Sequence, residues 1–289
     1  MRCVLGVDAA WTAAQPSGVA LAIETETGWR LIAAESSYQR FHARADRSQL
    51  PETTGSGSIP DACGLLETSS RLCGRPVDLV AIDMPLAHEP IRKRRESDDA
   101  VSRAYGAKKC STHTPNAQRP GRISDDLTSG FASCEYPLLT TCIRSPGLIE
   151  VYPHPALVEL ADATERLCYK AAKVAKYWPS ATPQERRTRL FDVWAKIVAL
   201  LDERILGVAA AMKVPSLEAS GVQMKAYEDK LDAIVCAWVA ICALNKLATP
   251  FGDDKSAIWI PCPAARSAPA PRASDRSDGR DVVEGGVDF

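Results

Sequence analysis

A short apolar run that ends on a single carboxylate occurs twice, and no other feature constrains the fold as much. Val4-Leu5-Gly6-Val7 leads into Asp8, and Val77 to Ile82, apolar apart from Asp78, leads into Asp83. Each run has the length and composition of a buried strand. A buried carboxylate is costly unless it is paired, hydrogen-bonded or metal-bound. In α/β sheets, sites form outside the carboxyl ends of the strands. If the two strands are parallel neighbours, both acids lie on one edge of the sheet.

The rest of the chain supplies the layers around such a sheet. Residues 2–8, 18–24 and 29–35 read as three strands, and Gly28 turns the second into the third, which predicts an antiparallel meander. Residues 43–59 are polar, with Gly55-Ser56-Gly57-Ser58 in the middle, and read as a loop. Pro60-Asp61 opens a helix with Leu65, Leu66 and Leu72 on its apolar side, and Gly74 stops it. Residues 91–107 read as helical, whereas 108–145 carry Pro115, Pro120 and Pro137 and no long period. Leu148 to Pro153 is a fifth strand. Residues 155–211 are mostly helical, with breaks near Pro179 and Pro183, and Gln223 to Leu247 is the longest helical pattern. Residues 256–260 read as a last strand, and 264–289 read as a disordered tail on composition.

The long helix brings further acids. Asp229 and Asp232 are spaced i, i+3 and share a face, Glu228 adjoins them, and an almost wholly apolar run follows from Ala233 to Ala240. A helix that enters a core directly after two acids holds them at the rim. Glu150 sits on the fifth strand and is a second-tier candidate beside Glu228. A single acid of this kind is most often a cap or half of an ion pair. Several acids gathered together repel unless something neutralises them, and all-oxygen ligands suit Mg²⁺ or Mn²⁺. Two such ions ~3.5–4 Å apart would clamp a phosphodiester and activate water.

In order, the elements are a three-strand meander with a terminal Asp, a helix, a strand ending in Asp, an insertion, a strand, and a final helix carrying Asp-x-x-Asp-Ala. The segments GVDAAW, VAIDMPL, IEVYPHP and EDKLDAIVCAW carry this pattern. It resembles the ribonuclease H-like fold of ribonuclease H, retroviral integrases and Holliday-junction resolvases. Together with YKAAKVAKYWP, the segments more closely resemble an uncharacterised bacterial and archaeal family of predicted ribonuclease H-like nucleases. The resemblance spans roughly residues 2–261. It implies an α/β fold, a mixed five-stranded sheet flanked by helices, with a helical extension. It also implies that Asp8, Asp83, Asp232 and, by analogy with the resolvases, Asp229 are metal ligands and catalytic residues. Asp83 departs from the many members of the fold that carry Glu at that place. Fold alone does not fix function, since the same core hosts sugar kinases and inert modules.

Net charge is −1, so any attraction for nucleic acid must be local. From Arg92 to Arg122, within an insertion at about 91–146, nine Lys or Arg stand against three acids. Between Glu165 and Lys213 ten stand against five. Arg94, Arg95, Arg103, Lys108, Lys109 and Ser111 are the candidate phosphate contacts. A solvated helix face is the plain alternative. His88 and His154 follow strand ends and read as hydrogen-bonded rather than acid–base residues. The ten cysteines are scattered without a Cys-x-x-Cys pair, no secretory signal opens the chain and no apolar run approaches the ~20 residues of a bilayer span. The expectation is a reduced, cytoplasmic protein whose domain occupies residues 1–263. Its expected function is two-metal hydrolysis of nucleic-acid phosphodiester bonds. The alternatives are a non-catalytic nucleic-acid or partner-binding module and a small-molecule phosphotransferase.

Overall fold

Cys3–Asp8 (β1), Gly18–Thr25 (β2) and Gly28–Glu35 (β3) form the antiparallel meander, with Gly28 at a positive φ of 117° in the turn. The computed structural model describes residues 1–46, 48, 57, 59 and 61–263; the C-terminal segment 264–289 lies outside the described residues, as does most of the polar stretch 43–59. Tyr38–Ala45 (α1) and Ala62–Cys73 (α2) follow the meander. Asp61 caps α2 through a hydrogen bond from Gly64 N–H, and Gly74 ends it in the left-handed region. Leu79–Asp83 (β4), Glu96–Tyr105 (α3), Arg122–Ser133 (α4) and Leu148–Val151 (β5) come next. Pro153–Ala161 (α5), Val174–Tyr177 (α6), Pro183–Asp202 (α7), Ile205–Leu206 (β6) and Val208–Ala211 (α8) make up the following region. Gly221–Leu244 (α9), Ala248–Gly252 (β7) and Ala257–Pro261 (β8) complete the described elements.

The strands form one mixed sheet in the order β6-β3-β2-β1-β4-β5-β8-β7. The expected sheet of five is therefore one of eight. β7 escapes a sequence reading because Pro250 interrupts it, which a strand tolerates at a sheet edge. β6 is only two residues long and interrupts the expected helical extension. Helix α4 lies in the stretch with no long period, because only Ser124, Leu127 and Phe131 of it are buried. Cys63 and Cys134 form a disulfide between α2 and the end of α4, which corrects the expectation of a fully reduced chain. Among the described residues, no helix is long and apolar enough to cross a membrane.

Strand periodicity decides which way the acids point. Val4, Ala20, Ala22, Leu79 and Ala81 belong to the core shared with Trp194 of α7 and Trp238 of α9. Leu5, Val7, Val19, Leu21, Val80 and Ile82 belong to the opposite core, with Phe41 of α1, Leu65 of α2 and Phe131 of α4. Asp8 continues the row of Val4 and Gly6, and Asp83 that of Leu79 and Ala81. Both acids therefore face α9. Strands β1 and β4 are parallel, with Asp8 and Asp83 as direct partners.

Helix α9 is buried nearly all round from Leu231 to Ala243, as expected of a helix apolar on every side. It lies on β1 and β2 at two glycines. A Cβ on Gly6 would stand 2.2 Å from the Ala233 carbonyl oxygen, and one on Gly18 would stand 2.1 Å from that of Asp229. Backbone rather than side chain is met at both places, so the helix itself must move. We predict that Gly6→Ala and Gly18→Ala each destabilise the protein by about 1–3 kcal/mol, the usual cost of forcing atoms into a packed core. A thermal melt checks this, and an unchanged melting temperature would show that α9 sits less tightly on the sheet.

Candidate functional site

The site lies where the carboxyl ends of β1 and β4 meet the N-terminal half of α9. Asp8 and Asp83 are half-buried there, whereas Asp229 is 1% and Asp232 0% exposed. Asp8, Asp83 and Asp229 line a cavity of about 470 Å³, whose wall also carries Trp11, His113 and Arg119. The Arg119 guanidinium lies 5.7 Å from the centre of the Trp11 ring. Asp8 and Asp229 stand near enough for each to influence the other's ionisation.

Two lysines stand among these acids. Lys170, from the irregular chain after α5, meets the Asp232 Oδ2 atom and lies 3.4 Å from Glu228 Oε1. The Tyr169 hydroxyl donates to Asp232 Oδ1 at 2.8 Å, so both oxygens of Asp232 are engaged. Lys225, one turn before Asp229 on α9, meets Asp229 Oδ1 and lies 3.5 Å from Glu228 Oε1. Glu228 also accepts from the Ala171 N–H at 2.7 Å. The Asp229 Oδ2 atom is buried without a hydrogen-bond partner. As the side chains stand, no group of three or more His, Cys, Asp or Glu is arranged to hold a metal ion among the described residues.

Burial pushes the Asp8 carboxyl well above the usual carboxylate range, and Asp232 and Asp229 push it further, against the pull of Lys170. Burial and then Asp232 push Asp83 up to about 7. Asp229 is pushed up to about 6 by burial, with Lys225 pulling the other way. Burial works against the Lys170 ammonium, yet Asp232, Tyr169 and Glu228 outweigh it and hold it well above the usual lysine range. The site therefore retains protons or ammonium groups at neutral pH, as expected of crowded like charges.

Residues 142–256 match the model of a family described as a protein of unknown function (DUF429). No curated protein and no solved structure matches the chain. The DUF429 match contains Lys170, Lys225, Glu228, Asp229 and Asp232, while Asp8 and Asp83 lie outside it.

The other candidates take different places. Glu150 pairs with Ile82 across the sheet and so faces away from α9. There it accepts two hydrogen bonds from Arg95, at 2.6 and 2.8 Å, and one from the Leu86 N–H at 2.8 Å. Arg95 is 9% exposed and also binds Asp98 through Nε and Nη2, both in the first turn of α3. It is an internal tie between α3 and β5, with no donor left for a phosphate. The remaining basic candidates of the insertion are also paired: Arg94 with Asp99, Arg103 with Glu96, Lys108 with Glu159 and Lys109 with Glu165. Ser111 is exposed, and its carbonyl accepts from the Tyr152 hydroxyl at 3.3 Å. The functional residues that sequence reasoning missed are Lys170 and Lys225. Lys225 carried a signal, its i, i+4 spacing to Asp229, whereas Lys170 stood in the segment YKAAKVAKYWP and in a basic stretch, but nothing local tied it to Asp232, 62 residues away.

The raised carboxyls have a measurable consequence in metal-free protein. An acid whose folded pKa exceeds its unfolded value keeps its proton longer in the native state, so stability falls as pH rises through that window. For Asp83 the window runs from 3.8 to about 7. We expect Asp83→Asn to gain stability relative to the wild type as pH rises across that range, read as the difference in melting temperature at each pH. A difference independent of pH would mean that Asp83 titrates normally.

Proposed function

We propose that the protein is a metal-dependent nuclease that hydrolyses nucleic-acid phosphodiester bonds, built on a ribonuclease H-like core. The observation that carries this reading is the in-register pair Asp8–Asp83, facing Asp229 at the floor of one cavity. The meander, the parallel pairing of β1 with β4 and the place of β5 beside β4 support the fold assignment.

The donor set fits a hard divalent cation such as Mg²⁺ or Mn²⁺, since every acid offered is a carboxylate. The unpartnered Asp229 Oδ2 and the pressure on Asp8 and Asp83 to stay protonated both mark a place that lacks positive charge. Asp8, Asp83 and Asp229 would hold the cation. Each lysine bridges two acids, but Lys225 is the replaceable neutraliser, because its side chain is 54% exposed on a flexible stem, whereas that of Lys170 is 20% exposed and serves the fully buried Asp232. Asp232, held by Tyr169 and Lys170, is a positioning residue in this arrangement rather than the metal ligand that the resemblance implies. When bound, such an ion polarises a phosphoryl oxygen and activates water. Trp11 supplies an aromatic surface beside the acids on which a base can stack, which favours a single-stranded substrate.

A second reading has its own support. Lys170 and Lys225 already neutralise Asp232 and Asp229, as they would in a non-catalytic binding module.

Melting curves with and without Mn²⁺ or Mg²⁺, followed by a cleavage screen on single- and double-stranded DNA and RNA, decide between the two. At a metal concentration ~100 times the dissociation constant, linkage stabilises by about 2.7 kcal/mol, roughly 5–10 °C for a chain of this size. We expect that shift in the wild type, its loss in Asp8→Asn, and metal-dependent cleavage that Asp8→Asn abolishes. No shift and no cleavage, with Asp8→Asn destabilised, would instead establish the ion-paired module.

A further inference from the structure

A second chamber of about 290 Å³ adjoins the acid cavity and shares Trp11, Asp83 and His113 with it. Its chemistry is of the opposite sign. Arg166, Lys170 and Lys173 line it together with His154, and the acids on its wall are Asp83 and Glu228. Glu228 is already bound by Lys170, Lys225 and the Ala171 N–H. Lys170 is committed to Asp232 and Glu228. That leaves Arg166 and Lys173, and among the described residues no carboxylate is salt-bridged to either.

Two buried polar atoms at the chamber lack partners. The Arg166 Nε atom and the Nδ1 atom of His154, a residue only 6% exposed, make no hydrogen bond. His154 is packed between the rings of Tyr152 and Tyr169, at 5.3 and 5.2 Å, so its position is fixed. Helix α5 begins here at Pro153, and its N-cap Tyr152 makes no side-chain capping bond. The positive end of a helix dipole thus adds to the two cations. Burial and then the charges of Arg166, Lys170 and Lys176 hold the Lys173 ammonium below the usual lysine range. Gathered positive charge of this kind is relieved by an anion, just as the acids beside it are relieved by a cation.

We propose that this chamber is a phosphate subsite, in which Arg166 and Lys173 hold a phosphate group of the substrate next to Asp83. The inference rests on the nuclease reading only for what carries the phosphate. Two sources share the chemistry: a terminal phosphate monoester, or the phosphodiester neighbouring the one to be cleaved. Two unpaired cations match the monoester dianion more closely. The subsite also supplies phosphate contacts in place of Arg94, Arg95, Arg103, Lys108 and Lys109, the basic side chains expected in that role, which are paired with acids.

The test uses the full chain in chelator, without metal, so that it reads binding and not turnover. Inorganic phosphate is titrated by calorimetry into the wild type, Lys173→Gln and Arg166→Lys, and into Lys196→Gln as a control for a surface charge elsewhere. A charge-assisted hydrogen bond is worth enough that losing one weakens binding about tenfold or more. We expect about that loss in Lys173→Gln, a smaller loss in Arg166→Lys, which keeps the charge, and none in Lys196→Gln. The probe is then changed to a short single-stranded oligonucleotide with or without a 5′ or 3′ terminal phosphate. Tighter binding of the end-phosphorylated form, lost in Lys173→Gln, assigns the subsite to a monoester. Equal binding of both forms, again lost in Lys173→Gln, assigns it to an internal phosphodiester. Absence of phosphate binding in the wild type, or equal binding in wild type and Lys173→Gln, overturns the proposal. Because metal is absent throughout, a failed nuclease assay leaves this result standing, and a failed phosphate titration leaves the acid site untouched.

Discussion

Everything at the candidate site depends on backbone meeting backbone at Gly6 and Gly18. These two residues let α9 lie directly on β1 and β2, with carbonyl groups of the helix where side chains would otherwise stand. A helix packed against side chains lies about 10 Å from a sheet, as in other layered packings. Here the missing Cβ atoms bring Asp229 and Asp232 down to the level of Asp8 and Asp83. The glycines do not act through a special backbone conformation, since neither has a positive φ. They act through the space they leave, and the site inherits its closeness from them.

That closeness creates an electrostatic problem, solved in two ways within one protein. Around Glu150, on the other face of the sheet, the solution is complete. Arg95 makes two bonds to Glu150 and two to Asp98, and the carboxylates have partners on both sides. A fully paired buried cluster of this kind is a structural tie, costly to break from one side. Around Asp8 the solution is partial. Two ammonium groups pair with Glu228, Asp229 and Asp232 and neither is salt-bridged to Asp8 or Asp83, one fully buried carboxylate oxygen is left without a partner, and Asp8 and Asp83 are pushed toward keeping their protons. Incomplete neutralisation beside a cavity distinguishes a place suited to a ligand from one that only holds the fold together.

Strand-end acids were legible in the sequence because a strand announces itself by an apolar run and the position of an acid at its end follows directly. The parallel partnership of Asp8 with Asp83 and the delivery of Asp229 and Asp232 by the last long helix came from the same logic. Glu150 shows where position along a strand is insufficient. It lies one residue before the end of β5, and with a side-chain period of two that single step turns it to the opposite face. The basic insertion shows a different limit. Net charge along the chain counts Arg95 and Lys108 as available, whereas Glu150 and Glu159, 55 and 51 residues away, take them up. Local sequence cannot display a partner supplied by another element. The charge of Lys170 and Arg166 was legible in the basic stretch 165–213, but what they face was not, because they lie on an irregular stretch whose course is set by what it packs against. The edge strands β6 and β7 were hidden by brevity and by Pro250.

The two lysines of the acid cluster are not equivalent, and their difference orders the site. Lys170 reaches Asp232 beside the Tyr169 hydroxyl, under an indole N–H of Trp194 that donates to the Tyr169 carbonyl at 2.8 Å. Moving it would strand a fully buried carboxylate and disturb a packed aromatic group. Lys225 is the more exposed of the two, and in the proposed reading its withdrawal would leave Asp229 at the cavity wall for an entering cation to compensate. One ammonium is therefore part of the framework and the other is exchangeable. The exchangeable one faces the larger cavity, and the fixed one stands at the boundary with the cationic chamber that holds Arg166 and Lys173. In the proposed reading, a substrate with a phosphate on one side and a metal-assisted centre on the other would meet both polarities across the width of Asp83. The sheet thus places opposite charges on either side of one strand end, and the α9 carboxylates bind the two lysines that stand between them, Lys225 from α9 itself and Lys170 from the chain after α5.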